Sequence, residues 1–471
     1  MTPGRRLVFV LLLIVLGVAA LRDLSRLGDA FPWRKMYDFQ DFYCAGRAVD
    51  AGSNPYRYEP LHSCERYVMR NTPLYANHPA LAIPAPQPPY DFVPFMALGR
   101  LDFDRARTLY AVAIVVAFGL SVVALALTGI PADIALVALL LPVGYLELDA
   151  GQIVPFSFVF LVACGAALAR RRDALAGVFA ALTLIEPHLG VPGALAALCF
   201  VPRARVPLLA TAAAMSAIGV LTVGWPASIE YLDRVLPAQA ASELAFPYQY
   251  SLTYALHVLG ASPAVATIAG EASFGLLLIV GLWIAPRLAR KLERRELLVF
   301  FPTACAVMAG PYLHMIALCF AIPAALVMAI RLTGTLRDVS AAALCALAIP
   351  WIMVWAVKKL FLASIFSVVF LLIRLGVTPW FAIAFASSVA ALIYVFELRS
   401  PELPSVTAFN AKIPNDALAQ TAWRAFTDQL PTRDVRWFAI KVPTWTALAA
   451  LLAVALAALR RVPDGRPPPP P

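Results

Sequence analysis

Long apolar runs alternate with short charged pieces along the whole chain. The windows Leu7–Ala20, Val112–Leu127 and Ala341–Val357 contain no charged residue. Apolar runs of about 18–20 residues predict transmembrane helices, and in lipid a helix satisfies all of its backbone amides internally. The pattern therefore predicts an all-α polytopic membrane protein.

The same pattern predicts about 12–14 transmembrane helices. The first is expected to be a retained signal anchor. Two of the runs, 173–187 and 188–201, are short for about 30 Å of hydrocarbon and predict a re-entrant or broken pair around Glu186, Pro187 and His188. The predicted spans lie near residues 7–22, 106–128, 130–147, 153–170, 173–187, 188–201, 206–225, 263–286, 297–312, 314–331, 339–357, 360–374, 377–396 and 443–460.

Charge fixes the predicted orientation. Only 14% of residues are charged, against about 25% in soluble domains. The net charge of +10 would suggest nucleic acid in a soluble protein, but the basic residues fall in short loops, as the positive-inside rule requires. We therefore expect no nucleic acid partner. Instead we expect a multi-pass protein of the inner or plasma membrane, in contact with membrane lipids, with external segments at 23–105, 226–262 and 397–442.

The first external segment contains an acidic, aromatic stretch. Asp38 and Asp41 are three residues apart and share a face if the stretch is helical. A carboxylate partly removed from water suits a general base, the aromatic ring of Tyr43 suits a sugar, and Arg47 suits a phosphate. The alternative is a solvated loop whose aromatic rings lie at the level of the lipid headgroups.

Further polar motifs fall on the same predicted face, and each by itself is also explained by a structural turn. A binding site needs its polar groups on a shared surface, which makes their convergence informative. Ionisable groups at membrane depth are commonly paired or functional. The motifs contain Gln152, which opens a span, His188 at the short pair, Gln249 and Tyr250 before a span, and His314 between two spans.

The seven cysteines predict little chemistry. Five of them lie in apolar segments, where cysteine behaves as a small hydrophobe. The sequence has no Cys-x-x-Cys pair, and neither a metal site nor a cofactor is expected. Cys44 and Cys64 share one external segment, and both a disulfide and two free thiols remain open.

Taken in order, the motifs resemble glycosyltransferase family 87, a family of the GT-C superfamily whose members use sugars linked to polyprenyl phosphate. The resemblance covers roughly residues 35–330. It is carried by the stretch 38–47 with 51–56, Pro88-Pro89-Tyr90, Gly151-Gln152, Ala176-Gly177, Pro187-His188-Leu189-Gly190, Tyr248–Leu252 and Pro311–His314.

The resemblance implies a GT-C-like bundle with a long first external loop. Its catalytic region would occupy residues 1–334, including loop 23–105. Residues 335–462, with loop 397–442, would form a second transmembrane region, and the Pro-rich tail 463–471 is expected to be disordered. The implied activity is transfer of a mannose-like hexose from a polyprenyl phosphate donor to a lipid or glycan acceptor on the external, periplasmic face.

In the family that the chain resembles, an Asp of the first external loop acts as the base. Asp38 matches it by its spacing to Ala45-Gly46, and Asp41 is the second candidate. The remaining site candidates are Arg47, His188 and His314 for the phosphate and sugar, Gln152 and Gln249 as hydrogen-bonding groups, and Tyr43 and Tyr250 as aromatic contacts.

Two departures from the family's pattern keep other functions open. Glu186 stands where the family commonly has a Lys, and Met315 follows His314 where acidic and aromatic residues are frequent. The alternatives are a transporter or flippase of a lipid-linked substrate and a catalytically silent protein of the same fold.

Overall fold

The computed structural model describes residues 14–22, 36–70, 72–357, 360–402, 409–430 and 434–460. Across these ranges the chain is helical and contains no sheet, only the isolated bridges Arg57↔Leu418 and Gln249↔His314. The prediction of an all-α polytopic membrane protein is confirmed. Residues 7–13 of the first predicted span, 23–35 of the first external loop and the tail 463–471 lie outside the described residues.

The helices fall into three consecutive groups. Residues 14–22 are helical, and the segment predicted to be external follows with helices Tyr37–Asp50, Tyr58–Val68, Pro73–Asn77 and Phe92–Gly99. The middle of the chain forms Phe103–Leu127, Ala132–Leu139, Leu146–Ala150, Val154–Ala169, Asp173–Leu182, Pro187–Phe200, Arg205–Glu230, Leu236–Ser242, Leu252–Val258, Pro263–Lys291, Leu297–Ala306 and Ile322–Arg331. The last group is Gly334–Leu347, Trp351–Trp355, Phe361–Arg374, Pro379–Leu398, Ala419–Thr427, Val435–Ala439 and Val442–Arg460.

Among the described residues, five helical runs are long and apolar enough to cross a membrane, and six shorter apolar helices accompany them. The longest run, Pro202–Ser242, has 41 residues. A straight helix of that length would extend for about 60 Å, twice the thickness of the hydrocarbon. It bends instead at Gly224 (φ 81°), just before Pro226. The bend separates an apolar part from a more polar part that continues into the external layer.

Three predicted spans contain breaks. Helix Asp173–Leu182 passes through a 3₁₀ turn to Glu186, whose extended backbone precedes the next helix at Pro187, so 173–201 is a broken pair. The run 339–357, expected as one span, is divided because Pro350 provides no backbone N–H for a continuous helix. The run 297–312 leaves its helix at Ala306 and continues as a loop to His314.

The segments that the sequence predicts to be external pack onto one another in one layer. Arg57 pairs with Glu230 at 2.6 Å, and the Tyr58 amide donates to the Ala417 carbonyl at 2.7 Å. The disulfide Cys44–Cys64 joins helices Tyr37–Asp50 and Tyr58–Val68. Described parts of the three predicted external segments therefore contact one another and form one layer, which contains Asp38 and Gln249.

The basic loops meet at the other end of the bundle. Arg294 donates to the Thr128 carbonyl at 2.6 Å, and Arg295 pairs with Asp173 at 2.9 Å. Thr128 directly follows helix Phe103–Leu127, whose first residue lies beside the external helix Tyr37–Asp50. Its 25 residues separate the two ends by about 37 Å.

Candidate functional site

Asp38 lies in the first turn of the external helix Tyr37–Asp50, and its carboxylate is half-buried. Its Oδ2 accepts a hydrogen bond from the side-chain amide of Gln152. Burial raises the pKa of Asp38 to about 6, and the Gln152 hydrogen bond and the nearby His314 partly oppose that rise. Asp38 is therefore a carboxylate that exchanges protons near neutral pH.

Gly151 brings Gln152 to Asp38. Gly151 has a left-handed backbone (φ 76°), which glycine adopts without a steric penalty. A Cβ atom at this position would lie 2.8 Å from the Cβ of Met36 and 3.1 Å from that of Phe39. The turn after helix Leu146–Ala150 therefore packs directly against the start of the helix that carries Asp38, which explains the Gly-Gln motif.

The Gln249 and His314 motifs pair through their backbones. The two residues form an antiparallel bridge, and the Tyr250 amide donates to the Leu313 carbonyl at 2.6 Å. The side-chain Oε1 of Gln249 accepts the Leu313 amide at 2.8 Å. These bonds hold the loop before helix Met315–Ala321 and so fix the position of the His314 imidazole.

His188 joins the same cluster through an aromatic neighbour. Its ring contacts Tyr312 edge to face at 5.5 Å, and the Tyr312 ring lies 6.0 Å from that of His314. The Nδ1 of His188 is 3.5 Å from the Oε2 of Glu186, which occupies the helix break. The broken pair thus places an imidazole and a carboxylate at this site.

Glu243, which the sequence motifs do not include, lies at the centre of the site. Its Oε2 is 3.4 Å from the Gln249 amide nitrogen and 3.7 Å from Nε2 of His314. Its Oε1 accepts the indole N–H of Trp423 at 2.6 Å. The sequence contains one indication of this role, which is that the carboxylate of Glu243 stands three residues before Phe246. We refer to the residues of this site as the central cluster: Asp38, Gln152, Glu186, His188, Glu243, Gln249, Tyr312 and His314.

The second candidate base belongs to a different group. Asp41 is buried, and burial together with the neighbouring Glu65 raises its pKa well above the ordinary value. Glu65 accepts the Tyr75 hydroxyl at 2.8 Å and the Ile83 amide at 3.0 Å. Burial and the neighbouring Glu65 therefore favour the protonated form of Asp41, which suits a general base less well than the partly accessible Asp38.

The structure does not bring three other predicted residues into the central cluster. Arg47 is exposed near the far end of its helix, above the Tyr43 ring at 5.9 Å. The hydroxyl of Tyr43 donates to the Leu101 carbonyl at 2.8 Å. Tyr250 is buried, with the Lys441 amine 5.6 Å from its ring. A role for these three in substrate binding stays a prediction.

The charge of the central cluster is mainly acidic. In the part of the chain that the structure describes, no Arg or Lys forms an ion pair with a member of the cluster, and its carboxylates Glu186 and Glu243 face the imidazoles of His188 and His314 instead. A search of the same residues finds no group of three or more His, Cys, Asp or Glu side chains that could hold a metal ion.

Comparison with known proteins relates the middle of the chain to a family. No curated protein and no solved structure matches the chain. The model of Glycosyltransferase family 87 matches residues 87–313, a range that contains most of the central cluster, whereas its members Asp38 and His314, and the neighbouring Trp423, lie outside it. The match over residues 87–313 supports membership of glycosyltransferase family 87 and, in general terms, a membrane glycosyltransferase.

Proposed function

We propose that this protein transfers a hexose, mannose or a similar sugar, from a polyprenyl phosphate to a lipid or glycan acceptor, with Asp38 as the general base. The observation that carries the proposal is the position of Asp38. Its carboxylate is partly accessible, is oriented by Gln152 and has a pKa of about 6. A general base is most effective when its pKa lies near the working pH.

In the proposed reaction, Asp38 accepts the proton of the acceptor hydroxyl while the oxygen of that hydroxyl bonds to the anomeric carbon. The bond between the anomeric carbon and the phosphate oxygen breaks, and polyprenyl phosphate leaves with the electron pair. Negative charge develops on the leaving oxygen, where preorganised donors have their largest effect. His188 and His314 are the groups of the cluster that are suited to this contact.

We place the reaction on the external face. Disulfides persist in oxidising compartments, so the Cys44–Cys64 bond supports a periplasmic position for the layer that contains Asp38. The contacts among the basic loops at the opposite end of the bundle support a cytoplasmic position for that end.

A transfer assay with the purified full-length protein tests this function. Polyprenyl phosphate carrying radiolabelled mannose is offered together with a lipid extract as acceptor, and the nucleotide sugar is offered in a parallel reaction. We expect the label to move to a new lipid or glycan from the polyprenyl donor alone. Transfer from the nucleotide sugar would contradict the proposed donor. Donor binding without transfer would instead favour a silent protein, and donor movement across vesicles without transfer would favour a flippase.

A further inference from the structure

Glu243 is a buried carboxylate on which four nitrogen-bearing side chains converge. It is 6% exposed. A carboxylate only accepts hydrogen bonds, and three of the four neighbours are uncharged N–H donors, from Trp423, Gln249 and Gln239, at 2.6, 3.4 and 3.5 Å. The fourth is the Nε2 of His314 at 3.7 Å, the one neighbour of the four that can carry a charge.

The main chain at His314 is held in place. The contact with Glu243 therefore affects the orientation of the His314 imidazole and not the position of its backbone. The bridge to Gln249 holds the main chain, and Phe246 packs against the imidazole at 5.5 Å. The ring nitrogen that faces a carboxylate carries a proton, and this sets the tautomer and orientation of a histidine. Nε2 is thus the ring nitrogen that faces Glu243, and His314 lies near enough to Asp38 to lower the pKa of that carboxyl.

Trp423 reaches Glu243 from the C-terminal external segment, residues 409–430, which lies beyond the range that matches the family model. Hydrogen bonds hold this segment on both sides of its helix Ala419–Thr427. The Ala419 amide donates to the Tyr56 carbonyl at 3.0 Å, and the Thr427 hydroxyl donates to the Ser242 carbonyl at 2.8 Å. Trp423 itself is 8% exposed and packs against Phe246.

We propose that Glu243 is a positioning residue that orients the His314 imidazole for the transfer reaction, and that Trp423 holds Glu243 in place. The C-terminal external segment thereby completes a site whose other members lie between Asp38 and His314. This inference rests on the proposed function. It assigns to Glu243 no contact with substrate.

Histidine NMR tests the positioning without any substrate. The chain has five histidines, so labelling with ¹⁵N-histidine gives few ring signals in the detergent-solubilised full-length protein. Glu243→Gln should shift the ring signals of His314 and leave those of His62 unchanged. The matched control is Glu59→Gln, because Glu59 contacts His62 at 2.8 Å, and this variant should shift His62 alone. An unchanged His314 signal in Glu243→Gln overturns the proposal.

Enzyme kinetics then distinguish a positioning role of Glu243 from an effect of its replacement on folding. Glu243→Gln should lower kcat by about 10–100-fold and change the KM of the donor by less than about threefold, because general acid–base and charge contacts act in the transition state. Trp423→Phe, which keeps a large aromatic ring, should lower kcat by a smaller factor. Trp351→Phe also loses a buried indole hydrogen bond, to the Ala346 carbonyl at 2.9 Å, and should leave kcat unchanged.

The possible results distinguish this proposal from the proposed function. If the unmodified protein transfers no sugar but Glu243→Gln shifts the His314 signal, the proposed function fails and the positioning stands. If transfer occurs, and neither the kcat of Glu243→Gln nor its His314 signal changes, the positioning fails and the function stands. A kcat that is equally reduced in Trp351→Phe and Trp423→Phe would also overturn the role of Trp423.

Discussion

Gln152 donates a hydrogen bond to Asp38, although the two residues are 114 positions apart in the chain. The bond joins an external helix to the turn that opens helix Val154–Ala169. Only Gln152 lies within the range that matches the family model. The contact therefore connects the proposed base to the matched range, and it holds one of the two carboxylate oxygens of Asp38.

This contact predicts a specific pH dependence. Burial raises the pKa of Asp38 to about 6, and the Gln152 hydrogen bond opposes the rise by favouring the ionised form. A base acts when ionised, so kcat/KM should increase as the pH rises through about 6. Gln152→Leu removes the opposing contact, and the midpoint should move to higher pH.

The pH profile of kcat/KM with the lipid-linked donor measures this shift. Gln429→Leu is the control, because Gln429 is exposed and donates only to the nearby Ala425 carbonyl; it should keep the midpoint of the unmodified protein. A midpoint in Gln152→Leu at or below that of the unmodified protein would refute this account of the Asp38 environment.

Gly46 predicts a packing effect in the helix that carries Asp38. A Cβ atom at Gly46 would lie 2.3 Å from the carbonyl oxygen of Phe95, in helix Phe92–Gly99. Gly46→Ala must push the two helices apart, and overpacking of this kind costs about 1–3 kcal/mol. Gly119→Ala is the matched control, since no atom lies within 4 Å of its added Cβ. Thermal denaturation in detergent should show a lower Tm for Gly46→Ala alone; equal Tm values would contradict the packing.

The Asp41–Glu65 group predicts that stability decreases with pH. Burial raises the pKa of Glu65 to about 8, whereas the unfolded chain keeps the ordinary value. The folded state therefore binds more protons between the two values, and its stability falls as the pH rises from about 4.5 to 8. Glu65→Gln mimics the protonated form, so its Tm should exceed that of the unmodified protein at pH 8 and match it at pH 4.

Denaturation curves at the two pH values measure this difference. Asp428→Asn is the control, because Asp428 is exposed, and it should follow the unmodified protein at both values. A Glu65→Gln variant whose Tm falls below that of the unmodified protein at pH 8 would show that the Glu65 carboxyl is needed in its ionised form.

The sequence predicted the helical class and the convergence of four polar motifs, because both depend on local patterns. Hydropathy identifies the apolar runs that form helices. The charges of the loops predict on which side of the membrane each motif lies. Gln152, His188, Gln249 and His314 reach the same cluster as Asp38 for this reason.

No local pattern in the sequence indicates which distant segments of the chain contact one another. The bond from Trp423 to Glu243 joins residues 180 positions apart, and neither residue belongs to a repeated pattern. Arg47, in contrast, was predicted from the sequence to belong to the site, and the structure places it elsewhere. Its charge suited a phosphate, but nine residues of helix place it about 13 Å from Asp38 along the axis.

Replacement of Asp38 tests the central claim most directly. Asp38→Asn keeps the size of the side chain and removes its ability to accept a proton, whereas Asp41→Asn replaces a group whose pKa burial raises, so that its protonated form is favoured. Both variants are compared with the unmodified protein for sugar transfer from the polyprenyl donor, after thermal denaturation has shown that each is folded. We predict that Asp38→Asn abolishes transfer and that Asp41→Asn retains at least about a tenth of it. Full activity in Asp38→Asn, with loss in Asp41→Asn, would contradict the account and move the base to Asp41.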